Sequence, residues 1–468
     1  MGELRIPGEY MRPPLMAVGD SLYNGVRSLT ITNGYCQQSA PALVAQALGV
    51  RHRFFCPDPP RHILINLPEW LRIFPNVDEI RRGFADNARF WLGCPASTSG
   101  RPFFENIAVA STLISDLFTD TWRKADARIA HMRAEHGDKL LTLDGPIGDL
   151  FMALNTRYVL NPLNCDDLKD ATQLDLVEAR RPERLLVSIG SNNGLWEICF
   201  EARSESRLEL DGLDDLAERL ARIAAAGTHI YFNNLPAPST VPNLMPIPDY
   251  AEYEPVGPGN YFETYENRFG FGYGTISAAA MKELDEHVAV VNQTIEETLR
   301  RKLADQSRLK MVDMWSLMRR YDAKHQSDTD ENTVRTSDRK RFSNVMLEAD
   351  FWGAFRCGGL MSLDGMHPSG IGYGLMAQKV VEAIRANPAD PLAATVADLD
   401  IEDCYAKDKL LHDMPGIWSL ALWIWRDIRR ARARGEPDQV KAGKTEEVAT
   451  EEVMGAATQF KHSERPSR

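Results

Sequence analysis

The chain lacks a long hydrophobic run and an excess of positive charge. No segment approaches the roughly 20 apolar residues that a membrane-spanning helix needs, and the nearest, 417–425, is interrupted by Ser419. The 54 Lys and Arg against 66 Asp and Glu give a formal net charge of -12, which disfavours binding to polyanions. We therefore expect no membrane span and no nucleic-acid partner.

The chain also lacks any close pairing of cysteines. Its seven cysteines are an odd number and are widely scattered, with no C-x-x-C motif and no cluster with histidine. Such a distribution predicts free thiols in a reducing compartment. The N-terminus carries Glu3 and Glu9 and no apolar core of signal-peptide length. Together these absences predict a cytoplasmic protein.

Short apolar runs alternate with longer segments of helical periodicity, which predicts an α/β layer fold around a mostly parallel sheet. The candidate strands are 15–19, 107–110, 185–189, 229–233 and 310–313, and the clearest helices are 213–226 and 276–303. The long gaps between strands predict insertions near 51–104, 120–180 and 236–275. The first insertion is rich in proline and is expected to be ordered with little regular structure.

We expect the main domain to span residues 10–386. A connector and an amphipathic helix are predicted within 387–435, and a disordered tail within 436–468, which is rich in Glu, Lys, Thr and Ser. The helix, 415–435, begins apolar and ends rich in arginine. It fits either weak contact with an anionic membrane surface or packing on the domain or on a second copy of the chain.

A candidate nucleophile lies in the segment LMAVGDSL at 15–22. The apolar strand runs into Gly-Asp-Ser and then into a helical stretch. Ser21 is therefore expected at the carboxyl end of a strand, the edge where parallel sheets bind ligands, with unpaired N–H groups of the helix start around it. The same pattern is also typical of an ordinary N-cap serine.

A serine nucleophile needs a base, and the spacing D-x-x-H occurs at Asp322–His325 and at Asp364–His367. The first pair falls in a strongly charged run, which predicts a solvated loop. The second falls in SLDGMHPSGIGYG, whose glycines and proline predict an irregular loop before a helix. Asp364 in such a loop can orient His367 toward a serine, although a loop histidine without a role is an open alternative.

A third motif is LLVSIGSNNG at 185–194. A buried strand is followed by Asn192 and Asn193, which are expected at the same edge of the sheet as Ser21. A side-chain amide there can donate to the oxyanion that forms on a carbonyl under attack. The asparagines also suit a simple turn after the strand.

The three motifs, in this order, resemble those of the SGNH or GDSL hydrolase superfamily, which comprises serine esterases, lipases, thioesterases and deacetylases. The resemblance covers about residues 10–386 and implies a three-layer α/β/α sandwich with a flavodoxin-like sheet. It implies a catalytic triad of Ser21, Asp364 and His367. It also implies a small-molecule ester as substrate, with no metal and no organic cofactor.

The same resemblance implies an oxyanion hole formed by the Ser21 N–H, the Asn192 side chain and a backbone N–H of a further motif. In this chain that motif is ENIAVASTLISDL at 105–117, and Ser111 stands where the family has a glycine. A non-catalytic ligand-binding module on the same fold is therefore the alternative. A nucleotide site is disfavoured because the chain has no phosphate-binding glycine motif after the first strand. The sequence does not indicate which ester is cleaved or the oligomeric state.

Overall fold

The structure is a computed structural model, and it describes residues 11–246, 261–267, 274–326, 331–350 and 352–418. Most of the helix expected at 415–435, the tail expected at 436–468 and part of the 236–275 insertion lie outside the described residues.

The strands of the described residues fall into one parallel sheet and three small antiparallel sheets. In chain order they are β1 (Met16–Gly19), β2 (Arg184–Ser188), β3 (His229–Asn233), β4 (Leu244–Pro246), β5 (Thr264–Asn267), β6 (Thr275–Ser277), β7 (Leu309–Val312), β8 (Val334–Arg335), β9 (Arg341–Phe342), β10 (Glu348–Ala349) and β11 (Phe355–Cys357).

The α-helices are more numerous and connect or flank these strands. In chain order they are α1 (Ser21–Asn24), α2 (Asn33–Cys36), α3 (Ala40–Ala47), α4 (Leu67–Ile73), α5 (Val77–Leu92), α6 (Trp122–His136), α7 (Ile147–Leu160), α8 (Gln173–Arg180), α9 (Leu195–Cys199), α10 (Leu213–Ala225), α11 (Ala278–Lys302), α12 (Met314–Arg320), α13 (Gly370–Arg385), α14 (Ile401–Ala406) and α15 (Lys409–His412).

The central sheet has the strand order β1-β2-β3-β7, and all its neighbours are parallel. Every residue of β1, β2 and β3 is buried, because helices cover the sheet: α13 contacts β3 and β7, while α8 contacts β1 and α10 contacts β3. Apolar runs buried on both sides are typical of parallel sheets between helical layers. The predicted α/β sandwich is confirmed.

The segment predicted as a strand at 107–110 is less regular than the others. It forms an isolated parallel bridge beside β1, in which the N–H of Ala17 donates to Glu105 O at 2.9 Å. The N–H groups of Ile107 and Val109 donate back to Ala17 O and Gly19 O, each at 2.9 Å. Counted as the second strand, it completes the order 2-1-3-4-5 of flavodoxin-like sheets.

The expectation of little regular structure in 51–104 is wrong, because α4 and α5 occupy much of it. Pro68 lies in the first turn of α4, where a missing backbone N–H leaves no hydrogen bond unmade. Pro75 lies between the two helices, and the Asn76 side chain then caps α5 by accepting the Glu79 N–H at 3.2 Å. Pro68 therefore lies at the start of one helix, and Pro75 immediately precedes the N-cap of the next.

The connector after α13 packs closely against the domain. Asp390 forms an ion pair with the buried Arg184, in which Nη2 of Arg184 lies 2.5 Å from Oδ1 of Asp390. Farther along the chain, the indole N–H of Trp418 donates to Leu347 O at 3.3 Å. Nearer the edge of the sheet, the carboxylate of Asp408 accepts the Gly370 N–H at the start of α13. Within the described residues, no helix has both the length and the apolar character needed to cross a membrane.

Candidate active site

The end of β1 is shaped so that Ser21 lies at the carboxyl edge of the sheet. Gly19 has φ +131°, and a Cβ there would lie 1.8 Å from Ser188 O, so only glycine allows β1 and β2 to approach this closely. Asp20 then caps α1, its carboxylate accepting the Leu22 N–H at 3.1 Å. Ser21, the first residue of α1, is half-buried at the mouth of a cleft.

The second predicted pair, Asp364 and His367, is assembled as expected. The Nδ1 of His367 lies 2.8 Å from Asp364 Oδ2. Because a carboxylate can only accept, Nδ1 carries the proton, and the neutral ring presents Nε2 as an acceptor. The backbone N–H groups of Met366 and His367 donate to Asp364 Oδ1, each at 2.9 Å, so the carboxylate is fixed on both sides.

The carboxyl group of Asp364 is only 1% exposed. Burial raises its pKa, but the charge and hydrogen bonds of His367 and the Met366 N–H outweigh this effect, and the pKa lies below the usual value for aspartate. Asp364 is therefore held as an anion that accepts the hydrogen bond from Nδ1 of His367.

A tight turn at 27–30, which the sequence did not predict, supports this aspartate. Arg27 and Thr30 exchange backbone hydrogen bonds, and Ser28 and Leu29 between them both have positive φ. The Leu29 N–H donates to Asp364 Oδ2 at 2.8 Å, and the Ser28 N–H donates to the Ser362 hydroxyl at 2.7 Å. Such turns are usually formed by glycine or asparagine, and this segment has neither.

Ser111 has φ +63°, the left-handed conformation that glycine adopts readily. The loop is held on both sides of it. The Ala110 N–H donates to Asn155 Oδ1 at 2.8 Å, and the Thr112 hydroxyl donates to Val109 O at 2.7 Å. Asn192 Nδ2 donates to Thr112 O at 3.1 Å. The serine thus keeps the backbone course expected of a glycine at this point.

Two clefts meet at Ser21, and both are lined by Ser21, Asn192, Trp196 and His367. The smaller cleft has an empty volume of about 410 Å³, including the part that is open to solvent, and Ser111 also lines it. The larger cleft has an empty volume of about 1040 Å³, again including the part that is open to solvent, and it extends toward α12 and α13. The structure thus brings together Ser21, Ser111, Asn192 and His367, with Asp364 buried behind the imidazole.

Sequence reasoning missed two residues that support the site. Asn155, fully buried on α7, accepts the Ala110 N–H next to Ser111. Gln173, at the start of α8, accepts the Gly19 N–H at 2.9 Å and contacts the Thr112 hydroxyl at 3.4 Å. Both come from the 120–180 insertion, and no local sequence pattern connects them to motifs that lie far away along the chain.

Asp20 adds an unusual carboxyl group next to Ser21. It is fully buried, and its Oδ2 has no hydrogen-bond partner among the described residues. Burial raises its pKa to about 7, although the Leu22 N–H and the charge of protonated His367 partly offset the effect. Asp20 is thus neutral in mild acid and ionised in mild base.

The expectation of a solvated loop at Asp322–His325 is wrong. His325 is only 5% exposed, and its Nδ1 lies 2.8 Å from Asp322 Oδ2. Its Nε2 lies 2.8 Å from the Tyr265 hydroxyl, and its ring stacks on Phe262 at a centroid distance of 4.7 Å. His325 lines neither of the two clefts at Ser21. Tyr265 of β5 and the preceding Phe262 therefore cover His325, which the charged sequence around it had predicted to be exposed.

In the part of the chain that the structure describes, no group of three or more His, Cys, Asp or Glu side chains is arranged to hold a metal ion. All seven cysteines are free thiols.

Comparison with known proteins adds one finding. A family model described as GDSL-like Lipase/Acylhydrolase matches residues 15–380, which is most of the chain. No curated protein and no solved structure matched. The matched span runs from β1 into α13 and contains the Gly-Asp-Ser motif, the asparagine motif and the Asp-His loop. The chain belongs to the GDSL-like lipase/acylhydrolase family of hydrolases.

Proposed function

We propose that the protein is a serine esterase, which cleaves carboxylic esters by acyl transfer through Ser21. The observation that carries the proposal is that Ser21, Asn192 and His367 line one cleft while Asp364 binds Nδ1 of His367. A hydroxyl, a base and an amide donor at one point, with the base oriented by a carboxylate, are the parts that acyl transfer needs.

In the first half-reaction, His367 Nε2 takes the proton from Ser21 Oγ as the oxygen attacks the ester carbonyl carbon. The oxyanion that forms accepts hydrogen bonds from the N–H groups of Ser21 and Ser111 and from the Asn192 amide. The carbon–oxygen bond to the alcohol then breaks, and the alcohol leaves with the proton from His367. Asp364 stabilises the imidazolium while it exists.

In the second half-reaction, water attacks the acyl-serine. His367 takes a proton from the water and returns it to Ser21 Oγ as the carboxylic acid leaves. The backbone N–H of Ser111 supports this scheme because the residue retains a left-handed conformation despite its side chain. This conformation costs a non-glycine residue about 1 to 2 kcal/mol.

The test is hydrolysis of p-nitrophenyl esters from acetate to palmitate by the wild-type protein, Ser21→Ala and Ser206→Ala. Ser206 lies on the half-buried surface away from both clefts and serves as the matched control. We expect turnover by wild type and Ser206→Ala, and a loss of about 10⁴-fold or more in Ser21→Ala. Undiminished turnover in Ser21→Ala contradicts the proposal. If wild type neither hydrolyses any ester nor reacts with a fluorophosphonate at Ser21, the protein is a ligand-binding module instead.

A further inference from the structure

A tryptophan in the turn of the β10–β11 hairpin is strongly exposed. Trp352 is 86% exposed, more than any other large apolar side chain of the described residues. The turn is well fixed, because the N–H groups of Trp352 and Ala354 donate to Asp350 Oδ1 at 2.8 and 2.9 Å. Tryptophan is enriched where a protein meets a partner or the boundary of a membrane, since its ring is apolar and its N–H is polar.

The described residues end beside the same hairpin. Gly353, with φ +82°, lies so close to the connector that a Cβ on it would be 2.7 Å from Met414 O. The indole N–H of Trp418, a buried residue, donates to Leu347 O just before β10. The chain that follows residue 418 therefore begins next to the turn that carries Trp352.

The sequence that follows is first aromatic and then strongly basic. Residues 419–435 read SLALWIWRDIRRARARG, in which two tryptophans precede five arginines and a single aspartate. The sign of this charge is opposite to that of the whole chain, whose formal net charge is -12. An apolar stretch with tryptophan, joined to clustered arginine, is typical of segments that bind the surface of an anionic bilayer.

The surface around Trp352 carries cations of its own. Arg339, in the turn of the β8–β9 hairpin, and Arg356, on β11, are both exposed and form no ion pair within the described residues. The two hairpins are joined by Phe342 and Phe355, whose ring centroids lie 4.5 Å apart. Since successive side chains of a strand point to opposite sides, Arg356 lies on the side away from this contact. Two hairpins that pack on each other thus present both arginine and tryptophan.

The acidic side chains within the two hairpins are engaged elsewhere. Asp338 Oδ2 lies 3.2 Å from Lys340 Nζ and accepts the Tyr405 hydroxyl at 2.8 Å. Asp350 accepts the N–H groups of its own turn, and Glu348 is buried. The exposed arginines are therefore not neutralised by the hairpins that carry them.

This surface is directly connected to the candidate active site. β11 ends at Cys357, and two glycines then lead to Leu360 and Met361, which line the larger cleft. Leu360 follows Cys357 by three residues, which span at most about 11 Å. A partner bound at the hairpins would therefore lie close to the wall of the cleft.

Charge distinguishes the candidate occupants of this surface. If residues 426–434 folded back onto Arg339 and Arg356, like charges would meet, and pairing two copies through the same surface would have the same effect. A nucleic acid could neutralise the arginines but has no apolar phase for residues 419–425. An anionic bilayer offers negative headgroups to arginine and an apolar boundary to tryptophan.

We propose that the β8–β9 and β10–β11 hairpins, together with residues 419–435, form a docking surface for an anionic membrane. The arginines bind negatively charged lipid headgroups, and Trp352, Trp423 and Trp425 enter the boundary between headgroups and acyl chains. Docking places the wall of the larger cleft beside lipid. The binding does not depend on the proposed esterase function and is measured without it.

The test is co-sedimentation of the full chain with vesicles of phosphatidylcholine alone and of phosphatidylcholine mixed in equal parts with phosphatidylglycerol. We expect the partition coefficient to be at least tenfold higher for the mixed vesicles and to fall as the salt concentration rises, because salt screens exposed charges. Binding to neither kind of vesicle, or to both kinds equally, overturns the proposal.

Two variants of the full chain locate the surface. Changing four arginines of the segment together to glutamine should lower the partition coefficient on mixed vesicles at least tenfold, and Trp352→Ala should lower it at least threefold. The four arginines are Arg429, Arg430, Arg432 and Arg434. Circular dichroism and thermal unfolding show that each variant is folded.

Each variant has a matched control elsewhere on the surface. Val290→Ala removes another exposed apolar side chain, on α11. A second fourfold change to glutamine removes the same charge from exposed positions of α5, α6 and α11. Its members are Arg81, Arg82, Arg123 and Arg301. Both controls should stay within about twofold of wild type.

The remaining outcomes are distinct. No loss in either variant, or an equal loss in the variants and their controls, overturns the assignment of this surface. Self-association in sedimentation equilibrium that Trp352→Ala abolishes means that a second copy occupies it. Tighter binding to a single-stranded RNA than to mixed vesicles means that a nucleic acid does. Vesicle binding without hydrolysis of any ester leaves the docking surface standing and overturns the esterase.

Discussion

The two Asp-x-x-His pairs of this protein have the same spacing and the same Nδ1–Oδ2 distance of 2.8 Å. They differ in what surrounds the second ring nitrogen. His367 lines the clefts with Ser21, whereas Nε2 of His325 is bound to the Tyr265 hydroxyl beneath Phe262. An aspartate that orients a histidine therefore does not by itself make a base, because the other nitrogen must also face a reacting group.

The buried pair belongs to a cluster that fixes one wall of the larger cleft. Lys324 is fully buried, and its Nζ donates to Val241 O at 2.8 Å and to Leu244 O at 2.9 Å. Asn344 Nδ2 lies 2.8 Å from both Asp322 Oδ1 and Thr240 O. Since Val241 lines the cleft, this cluster joins the 236–275 insertion to the body of the domain. The Asp364–His367 pair is placed for the proposed chemistry, whereas the Asp322–His325 pair is part of a structural hydrogen-bond network.

The neighbouring ionisable groups also differ between the two regions. Asp20 lies near His367 and has a pKa raised to about 7, mainly by burial. Lys324 lies near His325, and burial lowers its pKa to about 8, although Asp322 opposes the shift. A buried acid and a buried base respond to pH in separate ranges, so the two regions can be distinguished by titration.

The largest expected difference between the two pairs is in activity. His367→Gln removes the proposed base and should lower kcat/KM for a p-nitrophenyl ester by about 10⁴-fold, whereas folded His325→Gln should stay within about tenfold of wild type. Steady-state kinetics on both variants, after circular dichroism has shown that they are folded, measures the effect. Equal losses in the two variants contradict the division of roles.

The second difference is in stability, and here the larger effect is expected at His325 and the smaller one at His367. His325→Ala leaves Asp322 buried without its ring partner, and breaking such a buried pair costs about 3 to 5 kcal/mol. His367→Ala should cost less, because the buried carboxylate of Asp364 keeps the backbone N–H donors of Leu29, Met366 and residue 367. Urea unfolding of the two variants measures the loss of unfolding free energy in each. A larger loss in His367→Ala than in His325→Ala contradicts this prediction.

The third difference is in how stability depends on pH. The folded pKa of Asp20 lies above the usual aspartate value of 3.8, so the folded state binds more protons between pH 4 and 7 and stability falls as pH rises. The fall is at most about 4 kcal/mol. Asp20→Asn should remove it, and unfolding midpoints measured from pH 4 to 7 test this. Parallel wild-type and Asp20→Asn curves contradict the assignment.

Lys324 should act in a higher range. Its folded pKa of about 8 lies below the usual lysine value of 10.5, so the unfolded state binds more protons between these values and stability rises with pH. The rise is at most about 3 kcal/mol. Lys324→Met should abolish it, and unfolding from pH 8 to 10.5 is the measurement. A rise that persists in Lys324→Met must come from another group.

The smallest expected effect concerns Ser111, which lines the smaller cleft with Ser21 and His367. Ser111→Gly relieves the left-handed strain and should stabilise the fold by up to about 1 kcal/mol. Activity should stay within a few-fold, since the backbone N–H is retained. Thermal unfolding and kcat/KM of the variant test both points, and a loss of activity of a hundredfold or more means that the serine side chain has a role of its own.

Much of the fold was predictable because its signals are local. Four of the five expected strands form within one residue of their predicted bounds, and the helices at 213–226 and 276–303 are found as α10 and α11, the latter starting at Ala278. Continuous apolar runs and three- and four-residue periodicity are properties of neighbouring residues. Pro68 and Pro75 were misread as loop signals because proline fits the beginning of a helix as well as a loop.

The sequence by itself determined the motif around Ser21, the Asp364–His367 loop and most of the strand positions, since each depends on residues close together in the chain. Only the tertiary structure decided that His325 is buried, because Tyr265 lies 60 residues away. It also decided that the Arg27–Thr30 turn holds Asp364, with partners 335 residues apart. Burial and hydrogen-bond partners depend on which distant segments meet, and periodicity carries no information about that.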